Sequence, residues 1–327
     1  MRRDGGSGAE LDYLPRKINR PSDAFFAGIS GATNGTRHRM DFQSEIRHSQ
    51  ITDLIEKVQK RNYDKYLMKV TIDRARSFTN KSVSFDFPVT ALIGPNGGGK
   101  TTILGAAACA YQIKPSKFFA KSGKFDSSMQ NWKFEYEILD RSGKASEIAR
   151  RSAKFTNQKW SRDAMNRHVI VLGVSRTVPA TERPELFKCI SGKFDVAEEQ
   201  ITAMPAEAAT AAASILAKDI SAFRFLNLDK KGNAKLIAGT TQSGEKYSEF
   251  HFGAGESSII RMVVALETTP ENSLVLIEEI ENGLHPLATI RLVEYLIELA
   301  ERRKIQVIFT THSNDALKPL PDKAIWA

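Results

Sequence analysis

The chain has 327 residues, with 47 Lys and Arg against 38 Asp and Glu, a formal net charge of +9. At 41% hydrophobic and 26% charged residues it can bury the core of one large domain or two lobes. No apolar run approaches the roughly 18 residues of a membrane span, residues 1–8 lack the apolar segment of a secretory signal, and two cysteines are too few for a disulfide framework. A cytoplasmic protein with no membrane partner is expected.

The basic residues are spread along the chain, with small clusters such as Arg150-Arg151 and Arg302-Arg303-Lys304. Charge alone leaves a solvated surface and a nucleic-acid footprint both open. Residues 1–40 are rich in Gly, Ser, Arg and Asn and read as an extended arm. Residues 42–61 read as a helix with Ile51, Leu54, Ile55 and Val58 on one face. Residues 1–62 are therefore expected to form an N-terminal arm and helix. Tyr66, Met68, Val70 and Ile72 alternate with other residues, and so do Val83, Phe85, Phe87 and Val89. This predicts two strands joined by a turn at residues 79–81. The link between them contains Arg76.

Residues 89–93 form a short apolar run of buried-strand type. Then comes Gly94-Pro95-Asn96-Gly97-Gly98-Gly99-Lys100-Thr101-Thr102, which fits G-x-x-x-x-G-K-[ST]. A helix over residues 103–108 follows, so the motif has the strand–loop–helix setting it needs. Glycines let successive backbone N–H groups converge on phosphate oxygens, and the helix N-terminus adds more. Asn96, Gly97, Gly98, Gly99, Lys100, Thr101 and Thr102 are the candidate nucleotide ligands. Lys100 would place a point charge on the β and γ phosphates, and the Thr101 hydroxyl would ligate Mg²⁺.

Residues 113–235 read as a middle region between two parts of an ATP-binding core, 63–112 and 236–327. Within it, residues 132–139 alternate like a strand. Residues 169–174 form an apolar strand ending at Ser175-Arg176, where Arg176 is open to a phosphate, a partner or, as the first reading, a surface ion pair. Residues 207–218 form an Ala-rich helix. A hairpin is expected over residues 234–252. Phe252-Gly253-Ala254-Gly255-Glu256-Ser257 then opens a helix over 258–266. Residues 274–277 are a buried strand closed by Glu278-Glu279, residues 287–301 an amphipathic helix, and residues 306–310 a buried strand ending in Thr311-His312-Ser313. Residues 324–326 read as a final strand, and a natural chain continuing beyond it is left open. Apolar strands alternating with helices predict a mainly parallel sheet. Ligands sit at the carboxyl ends of such strands.

Three strand ends carry chemistry. Besides the phosphate loop there are Glu278 and Glu279, which cannot play one role because side chains alternate along a strand. Glu278 is assigned to the metal and Glu279 to the attacking water. His312 is placed to donate to the γ-phosphate.

The order of these motifs resembles that of ABC-type ATPases, in particular the heads of the structural-maintenance-of-chromosomes and overcoming-lysogenization-defect kind. The string Leu276-Ile277-Glu278-Glu279-Ile280-Glu281-Asn282-Gly283-Leu284-His285-Pro286 is similar to the second group and its standalone relatives. The resemblance covers residues 64–327 and is weak over 113–235. It implies an α/β P-loop NTPase, an ABC-type head with a mainly parallel sheet, an N-terminal antiparallel β portion and a helical lobe. It also implies that two copies enclose ATP, with the signature Gly253, Gly255 and Glu256 of one capping the phosphate loop of the other. Two departures stand out: Gly253 where the family usually has serine, with Ser257 or Ser258 as substitutes, and Glu278 where aspartate is common. Arg76 matches an early basic residue near the nucleotide. Gln130 and Gln158 are the candidates for a γ-phosphate-sensing glutamine. Asn282 and Gly283 fall in the dimer-facing loop. The implied function is an ATPase that works as a homodimer or higher oligomer and controls a protein effector, such as a nuclease or toxin in antiviral defence. A DNA-clamping repair ATPase and a slow ATP-gated scaffold are the alternatives.

Overall fold

The computed structural model describes residues 44–121, 130–141, 148–190, 195–229, 234–241 and 243–327. The arm expected over residues 1–40 lies outside them. Helix α1 (His48–Gln59) buries Leu54 and Val58, with Ile51 and Ile55 half-buried on the same expected face.

Strands β1 (Lys65–Ala75) and β2 (Phe78–Ser84) form an antiparallel hairpin. Its turn is at Arg76-Ser77, not at residues 79–81. Arg74 pairs with Thr79 and Ala75 with Phe78, so the ladder runs straight through the expected turn. Arg76 takes φ 51°, a rare conformation for arginine. Asn80, the more familiar turn residue, lies inside β2 with φ 50°. The alternating run 83–89 is also not one strand. β2 stops at Ser84, and β3 (Val89–Leu92) belongs to another sheet. Phe85 and Phe87 between them are fully buried in two different cores, and Pro88 has no N–H to continue a ladder.

After helix α2 (Lys100–Cys109), strands β4 (Trp132–Asp140), β5 (Ile148–Thr156) and β6 (Lys159–Arg162) extend the hairpin into a sheet of order β2-β1-β4-β5-β6. Strand β7 (Val169–Leu172) ends two residues earlier than expected and is followed by 3-10 turns and the short α3 (Phe187–Ile190). Next come β8 (Ile201–Ala203), α4 (Ala206–Leu216), β9 (Arg224–Asn227), β10 (Lys235–Thr240) and β11 (Lys246–Ser248). These strands make a second antiparallel sheet, β11-β10-β9-β8. Then follow α5 (Ala254–Glu267), β12 (Leu274–Ile277), α6 (Pro286–Arg303), β13 (Gln306–Thr310) and β14 (Ile325–Trp326). The third sheet, β14-β3-β13-β12-β7, is parallel throughout. Residues 113–235, expected as one middle region, thus contribute to all three sheets. The longest helix among them is α4, packed on α5 and α6.

The parallel sheet divides the interior. Val275 and Ile277 of β12, Val307 and Phe309 of β13, and Val89 and Ala91 of β3 face a core shared with α4, α5 and α6. Leu274, Leu276, Ile308 and Leu92 face α2 and the first antiparallel sheet. That is the period of two expected of a strand, with both faces covered, which is why these strands read as unbroken apolar runs. Among the described residues no helix is long and apolar enough to cross a membrane.

One polar group joins the two sheets through the core. Gln306 is fully buried; its Oε1 accepts from the Leu67 N–H at 2.9 Å and from Arg167 at 2.9 Å, and its Nε2 donates to the Leu67 carbonyl at 2.9 Å. Arg167 also donates to the carbonyls of Asn272 at 2.7 Å and Ser273 at 3.2 Å, and to the Tyr111 hydroxyl at 3.2 Å. Gln306→Leu would strand Leu67 and one arm of a buried arginine. Chemical denaturation should show a loss of about 3 kcal/mol, since each unmade buried hydrogen bond costs about 1–3 kcal/mol. A second test concerns α2. Burial pushes the Cys109 thiol up to about 12, whereas Cys189 is half-buried. Alkylation near neutral pH, followed by peptide mass mapping, should label Cys189 in the native protein and Cys109 only after unfolding.

Candidate active site

Four parallel strands end level with one another. Ile277 pairs with both Phe309 and Leu172, and Thr310 pairs with Leu92. The residues that follow therefore leave the sheet along one edge: the phosphate loop after β3, Gly173 after β7, Glu278-Glu279 after β12 and Thr311-His312 after β13. They enclose a cleft of about 490 Å³ lined by Arg76, Asn96, Gly97, Gly98, Gly99, Lys100, Thr101, Val174, Glu278, Glu279 and His312.

Gly99 shows how the loop is shaped. It precedes α2 with φ 90°, and a methyl there would lie 2.2 Å from the Phe78 ring. Glycine is needed for its backbone angle and for its size. Phe78, the first residue of β2, braces the loop from the hairpin. No side chain caps the N-terminus of α2, so its first N–H groups are available to an anion. Lys100 Nζ donates to the carbonyls of Gly94 at 2.8 Å and Pro95 at 3.0 Å. Partial burial lowers its pKa against the opposing pull of Glu279 and Glu281. Thr101 is exposed in the cleft, but Thr102 is fully buried and is not among its lining residues. The Thr102 hydroxyl accepts from Arg76 at 3.0 Å, and the Arg76 guanidinium stands 5.9 Å from the centre of the Trp132 ring. Arg76 thus ties the hairpin turn to the phosphate-loop helix.

The Glu278 carboxylate lies over Gly173, with Oε2 3.5 Å from where a Cβ of Gly173 would be. Glu279 turns sharply out of the strand at φ 45°, and its N–H donates to the Thr310 hydroxyl at 2.8 Å. Two further residues hold these turns. Glu281 accepts from the Thr311 hydroxyl and from the His312 N–H, both at 2.7 Å, and so clamps the turn after β13 to the turn after β12. Arg176 does not form the surface ion pair read from the sequence. It donates to the carbonyls of Glu278 at 2.6 Å, Gly173 at 3.0 Å and Glu279. Burial lowers its pKa, opposed by the nearby Glu281, Glu279 and Glu278. Glu281 stands within the motif string, but nothing in its spacing marks a clamp. For Arg176 the only signal was an arginine just beyond an apolar strand.

Gly253, Gly255 and Glu256 do not line the cleft. A methyl on Gly255 would lie 2.2 Å from the Gly283 carbonyl oxygen, so the start of α5 rests on the loop after the carboxylates. Glu256 pairs with Lys218 at 2.7 Å, and the Lys218 ammonium sits 5.3–6.0 Å from the centres of the Phe223, Tyr247 and Phe252 rings. Gly253 is exposed, with open space where a side chain would begin. Neither substitute for its missing hydroxyl is available. Ser257 and Ser258 are both buried, and Ser257 is bonded to Glu249 and Arg183. Gln130 and Gln158 do not line the cleft either.

Among the described residues no group of three or more His, Cys, Asp and Glu could hold a metal. Mg²⁺ in phosphate sites takes one or two protein oxygens and completes its shell with phosphate and water. Thr101 and Glu278, lining one cleft, fit that donor set.

Residues 69–237, more than half of the chain, match a family model described as "AAA domain". The chain belongs to the AAA domain family. A second AAA model, described as "AAA domain, putative AbiEii toxin, Type IV TA system", matches residues 222–317. No curated protein matches this AAA domain. Among solved structures it is similar to an SMC head bound to the C-terminal winged-helix domain of ScpA, at 15% identity and a TM-score of 0.54, covering 80% of this chain and 97% of that one. It is also similar to the Smc head with an extended coiled coil, bound to the C-terminal domain of ScpA derived from Pyrococcus furiosus, at 11% identity and a TM-score of 0.50, covering 80% and 92%. The fold is therefore the α/β fold of an ABC-type ATPase head.

In this AAA domain the first turn of α5 is fixed by a buried carboxylate. Glu249 receives Arg261 on both oxygens, Arg183 at 2.7 Å, the Ser257 hydroxyl, and the Ile237 N–H at 3.1 Å. Burial alone would raise its pKa; the hydrogen bonds and charge of Arg261, with Ser257 and Arg183, outweigh burial and hold it below the usual carboxylate range. A depressed folded-state pKa stabilises the fold above the unfolded value of about 4.3 and ceases to do so as pH falls through the folded value. The stability advantage of the native chain over Glu249→Gln should be full at neutral pH and shrink in acid. Denaturation midpoints of the two chains measured from pH 7 downward would show it.

Proposed function

We propose that this chain binds ATP with Mg²⁺ and hydrolyses it as one half of an ATP-bridged homodimer that controls a protein partner. The observation that carries this reading is the single cleft in which the phosphate loop, Glu278, Glu279 and His312 meet. The backbone N–H groups of residues 96–101 would hold the β and γ phosphates. Lys100 would exchange its two carbonyl acceptors for phosphate oxygens. Thr101, and Glu278 through water, would hold Mg²⁺, which when bound neutralises charge on those phosphates. Glu279 orients the attacking water and accepts its proton, a contribution of about 10²–10⁴-fold for a well-placed general base. His312 donates to the γ-phosphate.

Gly253, Gly255 and Glu256 have no role in their own cleft on this reading. They would cap the phosphate loop of a second copy, with the α5 N-terminus as an anion site. The ATP-binding core is proposed as residues 63–112 and 236–327. Two findings support a protein partner: the ScpA domains named with the SMC heads of like fold, and the toxin–antitoxin description of the model matching residues 222–317. A toxin or nuclease of a cytoplasmic defence system is the effector class proposed.

Lys100→Ala should abolish ATP binding in a fluorescent-nucleotide titration. Glu279→Gln should keep binding, slow multiple-turnover hydrolysis by about 10²-fold or more, and accumulate an ATP-dependent dimer in light scattering. Hydrolysis by Glu279→Gln at the native rate would overturn the assignment. Strong stimulation by duplex DNA, lost steeply with added salt, would favour a DNA clamp over a protein-controlling ATPase.

A further inference from the structure

We propose that Arg176 is a positioning residue for hydrolysis: it holds the Glu278-Glu279 backbone in the left-handed turn that sets Glu279 in the cleft. The inference rests on the ATPase reading above, and goes beyond it by assigning a residue that does not line the cleft.

The argument begins with the backbone. A residue with a side chain disfavours positive φ, and Glu279 has φ 45°. Such a turn persists only where its surroundings dictate it. Here the Glu279 peptide groups are gripped from both sides. The N–H donates to Thr310 on β13, and the carbonyl accepts from Arg176 beyond β7. The same guanidinium takes the carbonyls of Glu278 and Gly173. Three carbonyls at the ends of two neighbouring strands are thus satisfied by one planar fork. An ammonium group lacks that fixed geometry and spans the two Glu carbonyls less well.

Arg176 Nε is buried without a partner among the described residues, which costs stability. The side chain is placed for the three contacts of its two Nη atoms at the expense of the third nitrogen. Its own strand end supports the same turn, since Gly173 lies beneath the Glu278 carboxylate. Arg176 is not among the residues that line the cleft, and it meets Glu278 and Glu279 only at their backbone carbonyls. Its effect must pass through the turn.

The test compares Arg176→Gln and Arg176→Lys with the native chain, in nucleotide affinity and in single-turnover hydrolysis. For Arg176→Gln the expected loss of rate is about 10²-fold, the scale of a misplacement near 1 Å, with affinity changed less than about threefold. Arg176→Lys should recover about tenfold of that loss, because it keeps the charge and N–H donors but not the planar fork. In a Glu279→Gln background, Arg176→Gln should slow the residual reaction less than about twofold, since no carboxylate is left to aim. A structural role would not show that dependence on Glu279. Equal losses in both backgrounds, or a rate loss that follows affinity or the folded fraction, would overturn the proposal. If Arg176→Gln does not fold, Arg176→Lys carries the same comparison with a loss of about tenfold. A native chain that does not hydrolyse ATP, or a Glu279→Gln that hydrolyses normally, refutes the ATPase reading itself and this inference with it. A normal rate in the Arg176 variants beside a dead Glu279→Gln refutes this inference alone.

Discussion

The site depends on the register of four parallel strands. If β12 slid by one residue against β13, Glu279 would lose its partner Thr310 and the carboxylates would no longer stand level with the phosphate loop. The hydrophobic pattern does little to prevent this. β12 reads Leu-Val-Leu-Ile and is buried on both faces, so a slip exchanges one apolar face for another. The register is held by polar clamps at the two ends. At the start of the strands Arg167 holds the carbonyls of Asn272 and Ser273 and reaches Gln306, the first residue of β13. At the finish, Thr310 holds the Glu279 N–H and Glu281 holds Thr311 and His312. The apolar strands supply the burial, and the polar ends determine which residues meet in the cleft.

The same division governs helix α5. A buried carboxylate anchors each end: Glu249 binds Ser257 and Arg261 near its start, and Glu267 binds Tyr295, Arg302 and Arg303 at its finish. Buried ion pairs are poor sources of net stability, because desolvation offsets the attraction. What they impose is position, since a shifted helix would leave a charge buried and unpaired. Between the two anchors α5 is an ordinary apolar helix, with Ile259, Ile260, Val263 and Leu266 fully buried. Its first residues, Gly253 to Glu256, of which only Gly253 is exposed, are therefore held against the loop at Gly283 by contacts well inside the fold.

How much of this could be read in the sequence follows from where each signal resides. The phosphate loop, Glu278-Glu279 and His312 are legible because they follow short apolar strands, and strand–turn order is local information. The fold class is legible for the same reason. The hairpin turn was misplaced because Arg76-Ser77 has no glycine or asparagine, while Asn80 nearby supplied a false turn signal. The run 83–89 kept its period of two across a change of sheet, and no periodicity reports which core a side chain enters. Thr102 shares the motif with Thr101 but points its hydroxyl at Arg76, because consecutive helical residues face about 100° apart. Arg176 and Glu281 act on backbone groups far away in sequence. A hydrogen bond to a carbonyl 102 residues away leaves no trace in spacing or composition.

The segment from Gly173 to Arg183 touches both the carboxylate turn and helix α5. Gly173 underlies Glu278, Arg176 grips the two Glu carbonyls, the Thr177 hydroxyl accepts from Asn282 at 3.2 Å, and Arg183 binds Glu249 and Ser257. It is built of short 3-10 turns. The Glu279 peptide therefore cannot move far without disturbing Arg176, and Arg176 is joined within a few residues to the groups that fix α5. Gly255 against Gly283 closes the same loop from the other side. On the proposed reading, one end of this unit faces a γ-phosphate in its own cleft and the other faces the nucleotide of a second copy. A packed unit with two such ends transmits a change as displacement of a whole body, because close-packed interiors deform little within themselves. Two copies related by symmetry would then each place their own signature against the other's nucleotide by setting their own carboxylates, which couples the two clefts without a hinge inside either head.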